Sequence, residues 1–247
     1  MVIKNYNFIS LLIPFLLFSN KALSDSFDYN SYNNHGVIGL INNPTARFYD
    51  EGRFGFIVYD GMPDQKITFS SSPYSWFEAS FFYMNIKGQK WAGSQSQSYK
   101  DKGFNFKIRL KEEGVLPSIA IGVNDLAGTG YYGSEYIVAS YGINNLDMHF
   151  GLGWGTLNGS KNSFKNPFRL ISSSFADRPT GLEGNGGQFQ ASRYFSDENA
   201  SPFFGISYAF NNRLIFKLEN DVTRLDQKIP YRNKDPLRLS AALEYNY

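Results

Sequence analysis

The sequence predicts an all-β fold: an antiparallel transmembrane β-barrel of about ten strands, between roughly eight and twelve, behind a cleaved signal peptide. Three observations carry this expectation. The 247 residues include 17 Tyr and 23 Phe beside only 19% charged residues, a composition suited to pleated, half-buried surfaces. Beyond residue 25, apolar and polar residues alternate over stretches of about nine to eleven, the length a tilted strand needs to cross a bilayer. The stretches are joined by links that are short and long in turn, as in outer-membrane barrels.

The elements follow in order. Lys4 supplies a positive n-region and Phe8 to Phe18 an apolar h-region, and Ala22-Leu23-Ser24 places small residues where a signal peptidase reads, predicting cleavage before Asp25. The run is too short to span a membrane, which takes about 20 apolar residues. Removing residues 1–24 takes away Lys4 and Lys21 and no acids, so the mature chain is formally neutral. A neutral chain argues against nucleic acid as a partner. Residues 25–52 are expected to form an N-terminal periplasmic or plug segment, and residues 53–247 the barrel.

Strands are expected near 53–59, 66–71, 76–86, 102–111, 116–124, 135–143, 146–154, 202–210, 213–220 and 236–246. In the fourth, Phe104, Phe106, Ile108 and Leu110 oppose Asn105, Lys107, Arg109 and Lys111. In the seventh, Met148, Phe150, Leu152 and Trp154 oppose Asp147, His149, Gly151 and Gly153. Short turns fall at 72–75, 112–115, Asn144-Asn145 and Asn211-Asn212. Both termini then lie on the periplasmic side. A strand at 187–195 breaks the alternation of short and long links, so that stretch belongs to a long loop.

Which face is buried separates a barrel from a soluble sandwich. A sandwich packs its apolar face inward; a membrane barrel turns it to lipid and lines its interior with the polar face. Gly151, Gly153, Gly205, Ser207 and Ala209 on the polar faces suit a crowded interior. The closing run LRLSAALEYNY resembles the C-terminal assembly signal of outer-membrane barrels.

The stretch GVIGLINNPTARFYDEGRFGF (36–56), with Gly39, Leu40, Ile41, Pro44, Thr45, Ala46 and Arg47, resembles the opening of the YjbH-type exopolysaccharide-biosynthesis proteins. The resemblance continues through 98–114, 116–142 and Gly151-Leu152-Gly153-Trp154. It implies a Gram-negative outer-membrane β-barrel, reached by a Sec-type signal, that assists capsule or exopolysaccharide production or export. Its partners are expected to be outer-membrane lipid, a polysaccharide and export-machinery proteins. The alternative is a structural or small-solute, porin-like barrel without a polysaccharide role. Family members are often longer, and some carry a lipid-modified Cys. This sequence has no Cys, which also excludes a disulfide framework, a thiolate zinc site and a cysteine nucleophile.

Enzyme chemistry is not expected, and neither is a cofactor. His35 and His149 lack metal-ligand spacing, and there is no G-x-S-x-G elbow. Gly128-Thr129-Gly130 lacks the lysine and helix of a phosphate loop, and Glu112-Glu113 reads as a solvated turn. The polar faces carry Glu78, Lys107, Arg109, Lys111, Asp147, Lys217, Glu219, Arg238 and Glu244. These groups either contact a polar solute or sugar chain, or pair with one another to fill a narrow interior; ten strands favour the second. The loop GTGYYGSEY (128–136) sets Tyr131, Tyr132 and Tyr136 beside Asp125 and Glu135. It reads either as a sugar-contacting platform or as part of an aromatic girdle at the outer membrane edge, the girdle being preferred.

Overall fold

Period-two alternation pairs strand to strand along the chain. The computed structural model describes residues 30–91, 96–179, 187, 189–224 and 239–247. Its strands are β1 (Arg53–Asp60), β2 (Asp64–Tyr74), β3 (Phe77–Lys90), β4 (Ser98–Lys111), β5 (Ser118–Leu126), β6 (Ser134–Ile143), β7 (Leu146–Gly155), β8 (Phe164–Lys165), β9 (Asn199–Ala209), β10 (Leu214–Asn220) and β11 (Leu239–Tyr245). They form one antiparallel sheet in the order β1-β2-β3-β4-β5-β6-β7-β9-β10-β11, with β8 added on β9.

All ten expected strands are present, with ends that differ by a few residues. The β3–β4 hairpin runs further than expected because its ladder continues past Ile86↔Tyr99 to Lys90↔Ser98 across a register shift. The β6–β7 turn is two residues long, and Asn144 holds a φ of 52° in it, a conformation Asn tolerates. The short β8 was not expected. Of the stretch 187–195, the described residues form a 3-10 turn at Ala191–Arg193 and no strand. The signal peptide and residues 236–238, with Arg238, lie outside the described residues.

The expected closure is not present as a ladder: among the described residues, β1 bonds only β2 and β11 bonds only β10. These edge strands have eight and seven residues against 14 in β3 and β4, so each offers a short edge. The sheet nevertheless curls, because one segment of chain, residues 30–49, touches its inner face from end to end. Lys66 of β2, Asn105 and Lys107 of β4, Ser118 of β5, Lys217 of β10 and Glu244 of β11 all hydrogen-bond that segment.

The polarity of the sheet is inverted relative to a soluble protein. Phe54 is 81% exposed, Phe69 57%, Phe150 56% and Leu243 69%, while Lys107, Glu78, Asp147 and Glu219 are at most 1% exposed. Apolar side chains form the outward face and ionisable ones the interior.

The interior is filled by Val37, Ile38, Leu40, Ala46 and Phe48 of the N-terminal segment, all buried. Two glycines admit it. A Cβ on Gly205 would lie 2.3 Å from Leu40 Cδ1, which occupies that space. Gly36 has a φ of +76°, and a Cβ there would lie 2.3 Å from Thr68 Cγ2. Gly36→Ala should therefore destabilise the fold by at least about 1–2 kcal/mol, the cost of a left-handed backbone for an L-residue. Thr68→Gly in the same chain, which removes the Thr68 Cβ, Oγ1 and Cγ2 contacts, should still leave the left-handed backbone cost unrecovered. The urea midpoint of unfolding measures both.

Candidate functional site

The polar face meets the N-terminal segment through charges on strands and backbone dipoles on the segment. Lys107 Nζ lies 3.3 Å from Glu78 Oε2 and donates to the carbonyls of Ile38 (3.1 Å) and Arg47 (2.8 Å). Glu78 Oε1 accepts the Ile38 amide at 3.0 Å. One ion pair thus grips both sides of a single residue's backbone. On β10, next to the edge strand β11, Glu219 accepts three successive amides, from Ile41, Asn42 and Asn43, at 3.1, 2.9 and 3.0 Å. Lys217 pairs with Glu244 at 2.8 Å and donates to Ser31 Oγ and to the Gly39 carbonyl.

Across the interior, Arg47 returns the grip from the segment to the sheet. Its Nε and Nη2 bind Asp147 at 2.8 and 2.6 Å, and Nη2 also meets Glu113 at 2.6 Å. Burial opposes the Arg47 charge, but the two carboxylates hold the guanidinium above its ordinary range. Beside it, Ser140 Oγ lies 2.8 Å from His149 Nδ1, and His149 Nε2 lies 3.6 Å from Asp147 Oδ2. Serine, histidine and acid are the ingredients of a hydrolytic triad, brought together because Ser140 and His149 are register partners on β6 and β7. The Ser140 hydroxyl, however, accepts the Ala46 amide at 2.8 Å, and Asp147 is neutralised by Arg47. All three side chains are buried, and the arrangement binds the segment.

At the sheet's other end the tyrosine loop folds inward. Tyr131 and Tyr132 are buried, 9% and 3% exposed, which corrects the expectation that they form a girdle or an exposed sugar platform. Tyr132 donates to Asp64 at 2.7 Å and its ring lies 5.0 Å from Lys66 Nζ. Tyr131 packs edge-on to Tyr99 at 5.5 Å. The physical cause is local: Asp125 takes a φ of 59° and accepts the Tyr132 amide at 3.1 Å, turning the loop back over the interior. Tyr136 is fully buried, with its ring in the space left by Gly122.

Glu135 falls in the outward register of β6, with Ile137 and Ala139, yet is 1% exposed. Arg178 of the long loop covers it with a two-pronged pair at 2.6 and 2.9 Å. Asp125, Glu135, Arg178 and Arg193 border a cavity of about 20 Å³, room for about one water and too small for a sugar ring. Arg109 is half-buried at the short-turn end, where it pairs with Glu112 at 2.9 Å and lies 4.7 Å from the Phe48 ring. Lys111 donates to the Glu112 carbonyl.

Of the residues chosen from sequence, then, Glu78, Lys107, Asp147, Lys217, Glu219 and Glu244 converge on one segment. Asp125, Tyr131 and Tyr132 form a separate cluster, Glu135 belongs to the rim, and Arg109 to the short-turn end. Sequence reasoning did not select Arg47, Glu113, Ser140 or Arg178. Arg47 alone had a signal, its place in the Pro-Thr-Ala-Arg phrase. Among the described residues no group of three or more His, Asp or Glu side chains is disposed to hold a metal ion.

Lys107→Met should destabilise the fold by about 3–5 kcal/mol by leaving Glu78 buried and unpaired. For an isolated ion pair, Glu78→Met in the same chain would recover most of that loss. Here recovery should be incomplete, because the Ile38 and Arg47 backbone groups also lose their partners; urea unfolding of the single and double variants measures the difference.

Residues 31–240 match the family described as exopolysaccharide biosynthesis protein YbjH (YjbH). The uncharacterized lipoprotein YjbH of Escherichia coli (strain K12) is 33% identical over 183 residues, covering 72% of this chain and 26% of that protein. The chain therefore spans about a quarter of that relative's length. No solved structure matches it.

Proposed function

This chain belongs to the YjbH exopolysaccharide-biosynthesis family, and from that premise we propose an outer-membrane β-barrel, closed inside by its own N-terminal segment, that assists exopolysaccharide production or export without catalysing a reaction. The inverted polarity carries this reading. An outward face bearing Phe54, Phe69, Phe150 and Leu243 is costly in water and stable in hydrocarbon. The buried charges on the opposite face are matched by segment dipoles.

Closure follows from the same solvent. Unpaired strand edges are not tolerated in lipid, where each unsatisfied backbone group costs several kcal/mol. Ten strands in alternating directions make β1 and β11 antiparallel, as a hairpin-built barrel requires. Consecutive residues of the segment reach both edges: Ser31 donates to Glu244 of β11 at 2.6 Å, and the Tyr32 ring occupies the space beside Gly55 of β1. A barrel seamed there puts both edges within one residue's reach of the plug.

The filled interior favours a scaffold over a porin. Among the described residues the segment is packed against the charged face, and on this reading a role in polymer traffic runs through partners in the envelope, with lipid around the strands. The lipoprotein in the relative's name supports an envelope location. The non-catalytic role rests on the capping of Ser140 and the neutralising of Asp147.

Deleting the gene should reduce secreted polysaccharide, and an unchanged yield would leave only the structural-barrel alternative. The purified protein should be silent in planar bilayers and should migrate differently on gels before and after boiling. Phe104→Arg, on the outward face midway along β4, should cost about 2–4 kcal/mol near the bilayer midplane and deplete the heat-modifiable form. Arg109→Gln, whose guanidinium pairs with the exposed Glu112 and lies over Phe48 at the short-turn end, should leave it largely intact.

A further inference from the structure

The long β7–β9 loop carries a charge pattern that the closed barrel does not use. Between Thr156 and Ala176 there are three cations, Lys161, Lys165 and Arg169, and no Asp or Glu. All three are exposed, and none makes an ion pair among the described residues. Interleaved with them are exposed apolar side chains: Phe164 (44%), Leu170 (93%) and Ile171 (76%).

The base beneath this surface is rigid. Asn166 is buried and its Nδ2 donates to the carbonyls of Phe175, Phe195 and Asp197 at 3.0, 2.8 and 3.1 Å, while its Oδ1 accepts the Phe168 amide at 3.1 Å. Phe168 turns inward against Trp154, Phe175 and Phe195, with ring centroids 5.4, 5.5 and 5.6 Å away. Leu170 and Ile171 are therefore held outward by a packed turn, although burial alongside Phe168 would remove them from water.

The sheet register locates the surface. Phe164 of β8 pairs with Ala200 of β9, and Ala200 shares its face with Pro202 and Phe204, the outward face. Phe204 is 54% exposed in the apolar band. Four residues of strand rise put Phe164 about 13 Å beyond Phe204, on the same outer side and at the long-loop rim. Trp154 and Glu135 also lie in the outward register of β7 and β6, and the loop covers both. The loop thus folds over the outside of the rim, where the apolar band ends.

We propose that this rim surface binds the anionic headgroups of the surrounding lipid leaflet, with Lys161, Lys165 and Arg169 meeting phosphates and Leu170 and Ile171 entering the outermost acyl region. The inference rests on the bilayer reading above. Lipid is favoured over an anionic polysaccharide by the apolar half of the surface. A polymer in water satisfies the cations but leaves Leu170 and Ile171 exposed, and aliphatic side chains offer no flat ring on which a sugar stacks. An amphiphile answers both halves at once.

The sequence has no Cys, so Ile171→Cys and Phe106→Cys each give one attachment point for a polarity-sensitive dye in the full chain, reconstituted into vesicles. In phosphatidylcholine mixed with phosphatidylglycerol, the dye at 171 should shift to the blue and be quenched by nitroxide-labelled lipid. In phosphatidylcholine alone the effect should weaken, and high salt should weaken it in the mixed vesicles. Each of Lys161→Gln, Lys165→Gln and Arg169→Gln should lower the odds of the lipid-contacting state about fivefold, the ordinary worth of one cation at an anionic surface. The dye at 106 tests seating separately: no quenching there rejects the bilayer reading itself. Quenching at 106 with a water-exposed signal at 171 in both lipids overturns the rim proposal alone. So does equal quenching at 171 in both lipids and in the triple variant, which would mean apolar immersion without headgroup binding. A blue shift at 171 produced as strongly by soluble dextran sulfate would assign the surface to a polyanion instead.

Discussion

Charged groups that leave water must meet opposite charge or hydrogen-bonding dipoles, and in this protein the partners come largely from one stretch of backbone. Glu78, Lys107, Lys217 and Glu219 are almost fully buried, and a continuous run of main chain from Ile38 to Asn43 supplies carbonyls to the lysines and amides to the glutamates. A backbone cannot retreat from such a role by changing rotamer. It also carries no net charge, so it can serve both signs within a few residues. The curl of the sheet depends on this match, because strands far apart in the sheet are tied to the same six residues.

The remaining architecture follows from that filled interior. Space for the segment requires small residues opposite it, and Gly205 and Gly55 vacate the positions that Leu40 and Tyr32 enter. Aromatic side chains that the interior cannot hold go outward, where they make cross-strand contacts such as Phe56–Phe69 at 5.1 Å and Phe81–Phe104 at 5.3 Å. Near the long-loop end the interior turns apolar again, with Phe82, Met84, Ile86, Tyr99, Tyr131 and Tyr132 in one cluster. Plug, polar belt and aromatic cap together leave little of the interior to a solute.

This bears on how membership of an exopolysaccharide-biosynthesis family is interpreted for a chain of this form. Family membership does not by itself mean a conduit, since here the inner face of the sheet holds a segment of the same chain. The Ser140–His149–Asp147 grouping makes a related point. Three residues of suitable chemistry stand at short distances, and two of them also hold the segment, Ser140 through the Ala46 amide and Asp147 through Arg47.

Alternation by itself determined the strands, their number on the main path and which side chains share a face, because a period of two is a property of the extended backbone and needs no neighbour. Asn144-Asn145 marked its turn for the same local reason. That Lys107, Glu78, Asp147 and Lys217 fall on the polar faces also followed from parity, whereas placing those faces inside took the barrel expectation. Tertiary structure decided everything that depends on what approaches from elsewhere in the chain. It decided that Arg47 pairs with Asp147 a hundred positions away, that Ser140 faces His149, and that Arg178 covers Glu135. It turned Tyr131 and Tyr132 inward through the left-handed backbone at Asp125, where composition suggested a surface. Periodicity is written residue by residue, whereas partnership is a property of distance in space, and only the folded chain sets that distance.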